Sequence, residues 1–234
     1  MTVSHPVLLI AVVGGSGAGK GWFVERLCHV LGDHACHLEL DDFYRDLSHL
    51  PLRERAAHNF DVPDAIDWEW ALQVLRACRA GERTSVPGYN FATHCRTTGR
   101  ASWTPRSVVL VDGLWLLHRP EIRALFALKI FLDTPAPLRR ERRLARDVAE
   151  RGYSREAIEH QLRTAVLPMH DRYVEPQKAW ADLVLHQPFE ESQLVELCDR
   201  LWTLLTNAAV IARWEHETFR AKLLTHLANH EYCN

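Results

Sequence analysis

The sequence predicts an α/β fold, a parallel sheet with helices on both faces. Three observations predict it. Residues 7–13 and 108–111 are apolar without interruption, and 128–132 are apolar but for Lys129, as strands buried on both faces are. Segments with apolar residues at helical spacing lie between them, so strands alternate with helices. A glycine-rich loop joins the first strand to the first helix.

The elements follow in order. Residues 7–13 are the first strand, and 22–31 read as a helix stopped by Gly32. Residues 36–40 are a second strand. Residues 67–80 carry Trp68, Ala71, Leu72 and Leu75 at helical spacing and stop at Gly81. Residues 85–97 hold Pro87, Gly88 and Asn90 and read as an irregular hairpin. Residues 135–151 are a strongly basic helix, and 155–166 a second helix closed by Pro168. Residues 183–185 are a last short strand, and 193–205 and 208–228 are helical. No internal repeat or low-complexity segment interrupts the chain. The expected organisation is a main domain over 1–205 and a C-terminal helical extension over 206–234, acting as a packing helix or an oligomer contact.

Composition narrows the function. Of 234 residues, 47% are hydrophobic and 25% charged, enough for a real core. The net charge of -2 predicts no nucleic acid and no membrane partner. Lysine is scarce (Lys20, Lys129, Lys178 and Lys222), so a lysine inside a glycine loop is not filler. The six cysteines show no C-x-x-C pair. The apolar run at 7–13 lacks the flanks of a signal peptide and is too short to span a bilayer. Reduced thiols and a cytoplasmic location are expected. His29, His34 and His37 fit no zinc spacing, and no metal cluster is expected there.

Gly14, Gly15, Ser16, Gly17, Ala18, Gly19 and Lys20 match G-x-x-x-x-G-K between a buried strand and a helix. Backbone N–H groups that converge on phosphate need φ > 0 and no side chains in the way. The helix N-terminus adds the positive end of its dipole. Lys20 would reach the β- and γ-phosphates of ATP or GTP. One position departs: Gly21 stands where a Ser or Thr hydroxyl would meet Mg²⁺.

Two acidic positions follow strands. Asp41 and Asp42 come after the second, where a carboxylate can accept a hydroxyl proton or hold a metal's water, or simply cap a turn. Asp112 ends the strand at 108–111, in the shape of a Walker B acid for Mg²⁺. The basic helix places Arg139, Arg143 and Arg146 on one face that could close over ATP, or could be a solvated charged surface.

Together these residues resemble the uridine kinase (uridine–cytidine kinase) family over roughly residues 7–186. Residues 59–67 (NFDVPDAID) are similar to its N-F-D-x-P-D-A-x-D signature. Residues 87–96 (PGYNFATHCR) are similar to its P-x-Y-D-F-x-x-H-S-R hairpin. Asp133 and Thr134, the basic helix, and Glu150, Arg151 and Gly152 resemble its lid, and Val174, Glu175, Pro176, Ala181 and Asp182 a later segment. The resemblance implies a P-loop NTPase-type sheet with a small substrate hairpin and a helical lid. It implies Asp41 as general base on a nucleoside 5′-hydroxyl, Asp61 and Arg143 at the ribose, and Tyr89, Phe91, His94 and Gln161 around the base. Arg146 and Arg151 would meet ATP phosphates, and a homo-oligomer is implied. Gly21, Asp112 for the family's Glu, Tyr153 for an arginine, and Asn90 and Cys95 for Asp and Ser are departures. Asp42 is read as a possible extra carboxylate for the metal, compensating Gly21. Two rivals stand beside this reading: a phosphoribulokinase- or pantothenate kinase-like enzyme for another small alcohol, and a nucleotide-binding homologue impaired in catalysis.

Overall fold

The computed structural model describes residues 7–56, 58–97, 101–210 and 215–228. In chain order its elements are β1 (Leu8–Gly14), α1 (Lys20–Leu31), β2 (Ala35–Glu39), α2 (Leu52–Ala56), α3 (Trp68–Arg79), β3 (Thr84–Val86), β4 (Tyr89–Asn90), β5 (Cys95–Arg96) and β6 (Ala101–Trp103). They continue as β7 (Val108–Gly113), α4 (Pro120–Arg123), β8 (Leu128–Asp133), α5 (Ala136–Arg151), α6 (Arg155–Gln161), α7 (Leu167–Met169), β9 (Leu183–His186), α8 (Glu191–Asn207) and α9 (His216–Ala228). Five strands form one parallel sheet in the order β2-β7-β1-β8-β9.

The apolar runs explain this sheet. Side chains alternate between faces along a strand, so a strand covered on both sides must be apolar at every position. In β1, Leu9, Ala11 and Val13 join a core with Trp68, Val74 and Leu75 of α3 and with Trp115. Ile10 and Val12 join the opposite core, with Phe23 and Leu27 of α1, Leu197 and Leu201 of α8, and Phe219 and Leu223 of α9. Helix α9 therefore packs over α1 and α8.

Three expectations change. The chain does not stop at Pro168. It stays helical from α6 through wide π turns at Leu162–Val166 and His170–Val174, with Pro168 in the first turn of α7. Each π turn takes in an extra residue, and this local widening lets the helical path continue past a proline that has no N–H to donate. The last helical stretch is broken as well. Ala209 takes φ 55°, and Val210 N–H donates to Leu205 O at 2.9 Å, closing α8 before α9 begins. The irregular hairpin is two ribbons, β3 with β6 and β4 with β5. Pro87, which has no N–H to give a ladder, lies between the strands β3 and β4.

No described helix is long and apolar enough to cross a membrane. At the carboxyl ends of the sheet, Glu39 of β2 and Asp112 of β7 line a common crevice, the place where open α/β sheets bind ligands.

Candidate active site

The loop between β1 and α1 is shaped by its glycines and held by its carbonyls. Gly17 and Gly19 have φ 77° and 81°, which cost an L-residue about 1–2 kcal/mol. A Cβ on Gly17 would also run into the carbonyl oxygen of Arg139. Ala18 O accepts from Thr134 Oγ1 at 3.2 Å and from Gln187 Nε2 at 2.8 Å. Gly15 O accepts from Ala18 N at 3.0 Å and from Lys20 Nζ at 3.2 Å. Arg143 Nη1 donates to Ser16 Oγ at 2.8 Å. With these acceptors engaged, the loop presents the N-terminus of α1 to the crevice, a position that attracts anions.

Carboxylates crowd the neighbouring strand ends. Glu39 and Asp112 are register partners on β2 and β7. His37, two residues before Glu39 and on the same strand face, places Nε2 2.7 Å from Asp112 Oδ1. Burial alone would lower the His37 pKa, but the bond to Asp112 and the charges of Asp112 and Glu39 leave it raised. Burial, then the charge of Asp112, raises Glu39. Burial, then the charge of Asp41, pushes Asp42 up to about 6. The Asp42 carboxylate accepts from the Tyr89 backbone N–H and is not in the lining of the crevice. Lys20 is held below its ordinary value by burial, against the raising charges of Asp112 and Asp41.

Helix α5 supplies the cations. Asp147 is wholly buried and gathers two of them. Its Oδ1 accepts from Arg146 Nε at 2.9 Å, and its Oδ2 lies 3.2 Å from Arg143 Nε. Arg143 also donates to Gln161 Oε1 at 2.9 Å and lies 3.8 Å from Asp61 Oδ1. Arg139 points elsewhere. It is buried under the loop, donates to Thr134 O at 3.0 Å, and sits 3.1 Å from His170 Nδ1. Burial and then Arg139 press His170 down to about 4. The side chain of Arg151 lies outside the described residues.

Two cavities meet here. The first is lined by Asp61, Tyr89, Phe91, His94, Arg143 and Gln161, with Ser16, Tyr44, Phe60 and Tyr153 among the others. The second runs along the glycine loop, past Gly17, Gly19, Gly21, Trp22, His37, Glu39 and Asp112. Lys20, Asp41, Phe91 and Arg146 line both. A group held in one cavity and a group held in the other would therefore meet between an acid and two cations.

Aromatic rings build the first cavity. Phe60 stacks on His94 at 4.7 Å, and Tyr89 lies 5.3 Å from both Tyr44 and Phe91. Tyr89 Oη is buried and has no hydrogen-bond partner among the described residues. Burial raises its pKa, so the phenol stays protonated and can donate. The turn carrying His94, at φ 52°, is closed by Asn90, whose Oδ1 accepts from Ala92 N at 2.9 Å and Thr93 N at 3.1 Å. Asparagine thus makes a local turn as well as aspartate would. Cys95 Sγ accepts from Arg55 Nη1 at 2.9 Å, and Arg96 Nη2 donates to Asp67 Oδ2 at 2.8 Å, tying the ribbon to the start of α3.

Sequence reasoning missed His37, Glu39 and Asp147. The His-x-Glu spacing in a strand signals one face, but the reach to Asp112 depends on a register visible only in the fold. Asp147 reads as one acid of a charged helix, and only its burial distinguishes it.

A family model described as "Phosphoribulokinase / Uridine kinase family" matches residues 9–192. A uridine kinase of Chloroflexus aggregans is 42% identical over 76% of this chain and 85% of its own. A uridine kinase of Macrococcus caseolyticus is 34% identical over 81% of this chain and 92% of its own. Among solved structures, phosphoribulokinase from Rhodobacter spheroides superposes with a TM-score of 0.60 at 20% identity, over 78% of this chain and 71% of that one, and so shares the fold.

Proposed function

We propose that this chain, which belongs to the phosphoribulokinase/uridine kinase family, transfers the γ-phosphoryl group of ATP to the 5′-hydroxyl of uridine or cytidine. It is a P-loop phosphotransferase with an alcohol group as acceptor. The observation that carries the nucleoside reading is the Tyr89 phenol, buried and without a hydrogen-bond partner among the described residues, at a cavity also lined by Asp61, Arg143 and Gln161. A buried hydroxyl left unmatched costs about 1–3 kcal/mol, recovered when a ligand supplies an acceptor. Tyr89 and His94 would meet the polar edge of a pyrimidine, with Phe60 and Phe91 against its faces. Asp61 would accept from the ribose hydroxyls, with Arg143 fixing its carboxylate and Gln161 beside it.

The triphosphate would lie on the loop from Gly14 to Lys20, with Gly15, Ser16, Gly17, Ala18, Gly19 and Gly21 along it. Arg146 would meet it at the junction, with Arg151 on the same helix. Asp41 would take the 5′-hydroxyl proton as the oxygen attacks. Crowded acids at neighbouring strand ends fit a divalent cation, so Asp112, oriented by His37, would hold Mg²⁺ with Glu39, whose pKa is raised, nearby. When bound, Mg²⁺ neutralises charge on the β- and γ-phosphates. Asp42 would add negative charge from behind, because its carboxylate is engaged by Tyr89 N–H. The reading carries with it a cytoplasmic homo-oligomer.

A Mg²⁺-dependent assay of ADP release, run across nucleosides and small alcohols with ATP and GTP, tests this. UMP or CMP formation is the expected result. Turnover confined to a non-nucleoside alcohol, or tight ATP binding with no transfer, would overturn it.

Gly21→Ser asks how the metal is held. A Cβ at Gly21 meets nothing within 4 Å, and no left-handed φ forbids it, so serine fits without strain. A hydroxyl contact to a charged group is worth about 1.5–3 kcal/mol. The Mg²⁺ concentration for half-maximal rate should fall by about tenfold. An unchanged Mg²⁺ dependence would show that the metal is held without this position.

A further inference from the structure

Beyond the segment matched by the family model, at the junction of α8 and α9, three metal-ligating side chains converge. Cys198, Asp199 and His216 bring ligand atoms within 4.8 Å of one another, and among the described residues no other three His, Cys, Asp or Glu side chains do so. His216 Nε2 and Asp199 Oδ1 are 3.3 Å apart. Ligands about 2.0–2.1 Å from a tetrahedral zinc ion stand at about that spacing from each other. On the other ring nitrogen, His216 Nδ1 lies 3.7 Å from Glu217 Oε1. The Trp202 ring flanks His216 at 5.0 Å, and Cys198 is wholly buried beneath the pair.

We propose that Cys198, Asp199 and His216 form a three-ligand Zn²⁺ site that clips α9 to α8, with solvent completing the tetrahedron. A thiolate, an imidazole and a carboxylate suit zinc over the hard cation of the phosphate cleft. Zinc takes a cysteine as thiolate, so binding releases the thiol proton to solvent as the sulfur–zinc bond forms, and affinity falls as pH falls. A plain His216–Asp199 ion pair above a core thiol would bind no metal, which separates the two readings. The clip acts at a distance from chemistry. Phe219 and Leu223 of α9 lie in the same core as Phe23 and Leu27 of α1, the helix whose start faces the phosphate loop.

Metal-free full-length protein titrated with Co²⁺, then Zn²⁺, tests the site. One equivalent of Co²⁺ should give a thiolate-to-cobalt charge-transfer band and tetrahedral d–d bands, both lost on adding Zn²⁺. Carboxylates of the phosphate cleft cannot produce the thiolate band. Zn²⁺ at about 100 times its Kd should raise Tm by about 5–10 °C. Cys198→Ser should abolish the thiolate band. Because that side chain is in the core, His216→Gln serves as the second variant. It should keep the metal-free Tm and kinase rate while losing the Zn²⁺-induced rise. The proposal is overturned if no thiolate band forms, if the band survives Cys198→Ser or is lost instead on Cys233→Ser, or if His216→Gln keeps the full Tm rise.

Discussion

Asp41→Asn is expected to lower kcat by about 10²–10⁴ while leaving the KM values for nucleoside and ATP within a few-fold. The substitution keeps shape and removes only the proton acceptor. Asp41 lies in the turn Leu40–Phe43 directly after β2, so the buried side chains of Leu40 and Phe43 fix its position. It lines both cavities, whereas Asp61 lines the first and not the second. An acid in that place can take a proton from a hydroxyl held in one cavity as it attacks a phosphoryl group held in the other. Steady-state kinetics, with calorimetric ATP binding as a control for folding, check it. Wild-type kcat in the variant would remove Asp41 from the role of base. A loss confined to KM would make it a binding residue.

What could be read before the fold was known follows from local rules. The central strands were legible because burial on both faces leaves no polar position, as in β1 and in residues 108–111 of β7. The phosphate loop was legible because φ > 0 at Gly17 and Gly19 restricts the residue type. The substrate ribbon was legible as a motif from Tyr89 to Arg96, and the Asn90 and Cys95 departures keep local hydrogen bonds there. What stayed hidden depended on contacts across distance. Arg139, Arg143 and Arg146 share a helix face on paper. Yet Arg139 is drawn beneath the loop by Thr134 and His170, while buried Asp147 holds the other two at the cavities. Asp42 has the same chemistry as Asp41, and the turn Leu40–Phe43 sends the two neighbours in different directions. Pro168 carries a stop signal that two π turns absorb. In each case the residue type set the options, and packing chose among them.

Lys20→Met should separate stability from catalysis. Methionine keeps the length and loses the charge. In the protein without nucleotide, burial of the ammonium outweighs the attraction of Asp112 and Asp41, since the Lys20 pKa is lowered overall. The charged lysine is therefore held at a cost, and removing its charge relieves that cost. The lost bond from Nζ to Gly15 O, 3.2 Å long, offsets part of the relief. Tm should stay level or rise. The rate should behave oppositely. A preorganised cation at the junction of the two cavities is strongest where charge develops on the moving phosphoryl group. Removing one such donor costs about 10²–10³ in kcat. A thermal melt and a kinase assay on one preparation check both halves. A fall in Tm matched by the fall in activity would mean that Lys20 mainly holds the loop together. A variant that keeps wild-type kcat would mean that Arg146 alone carries the charge stabilisation. A stable and inactive variant places the cost of the buried ammonium in the resting protein and its return in the transition state, as expected where function has been placed ahead of stability.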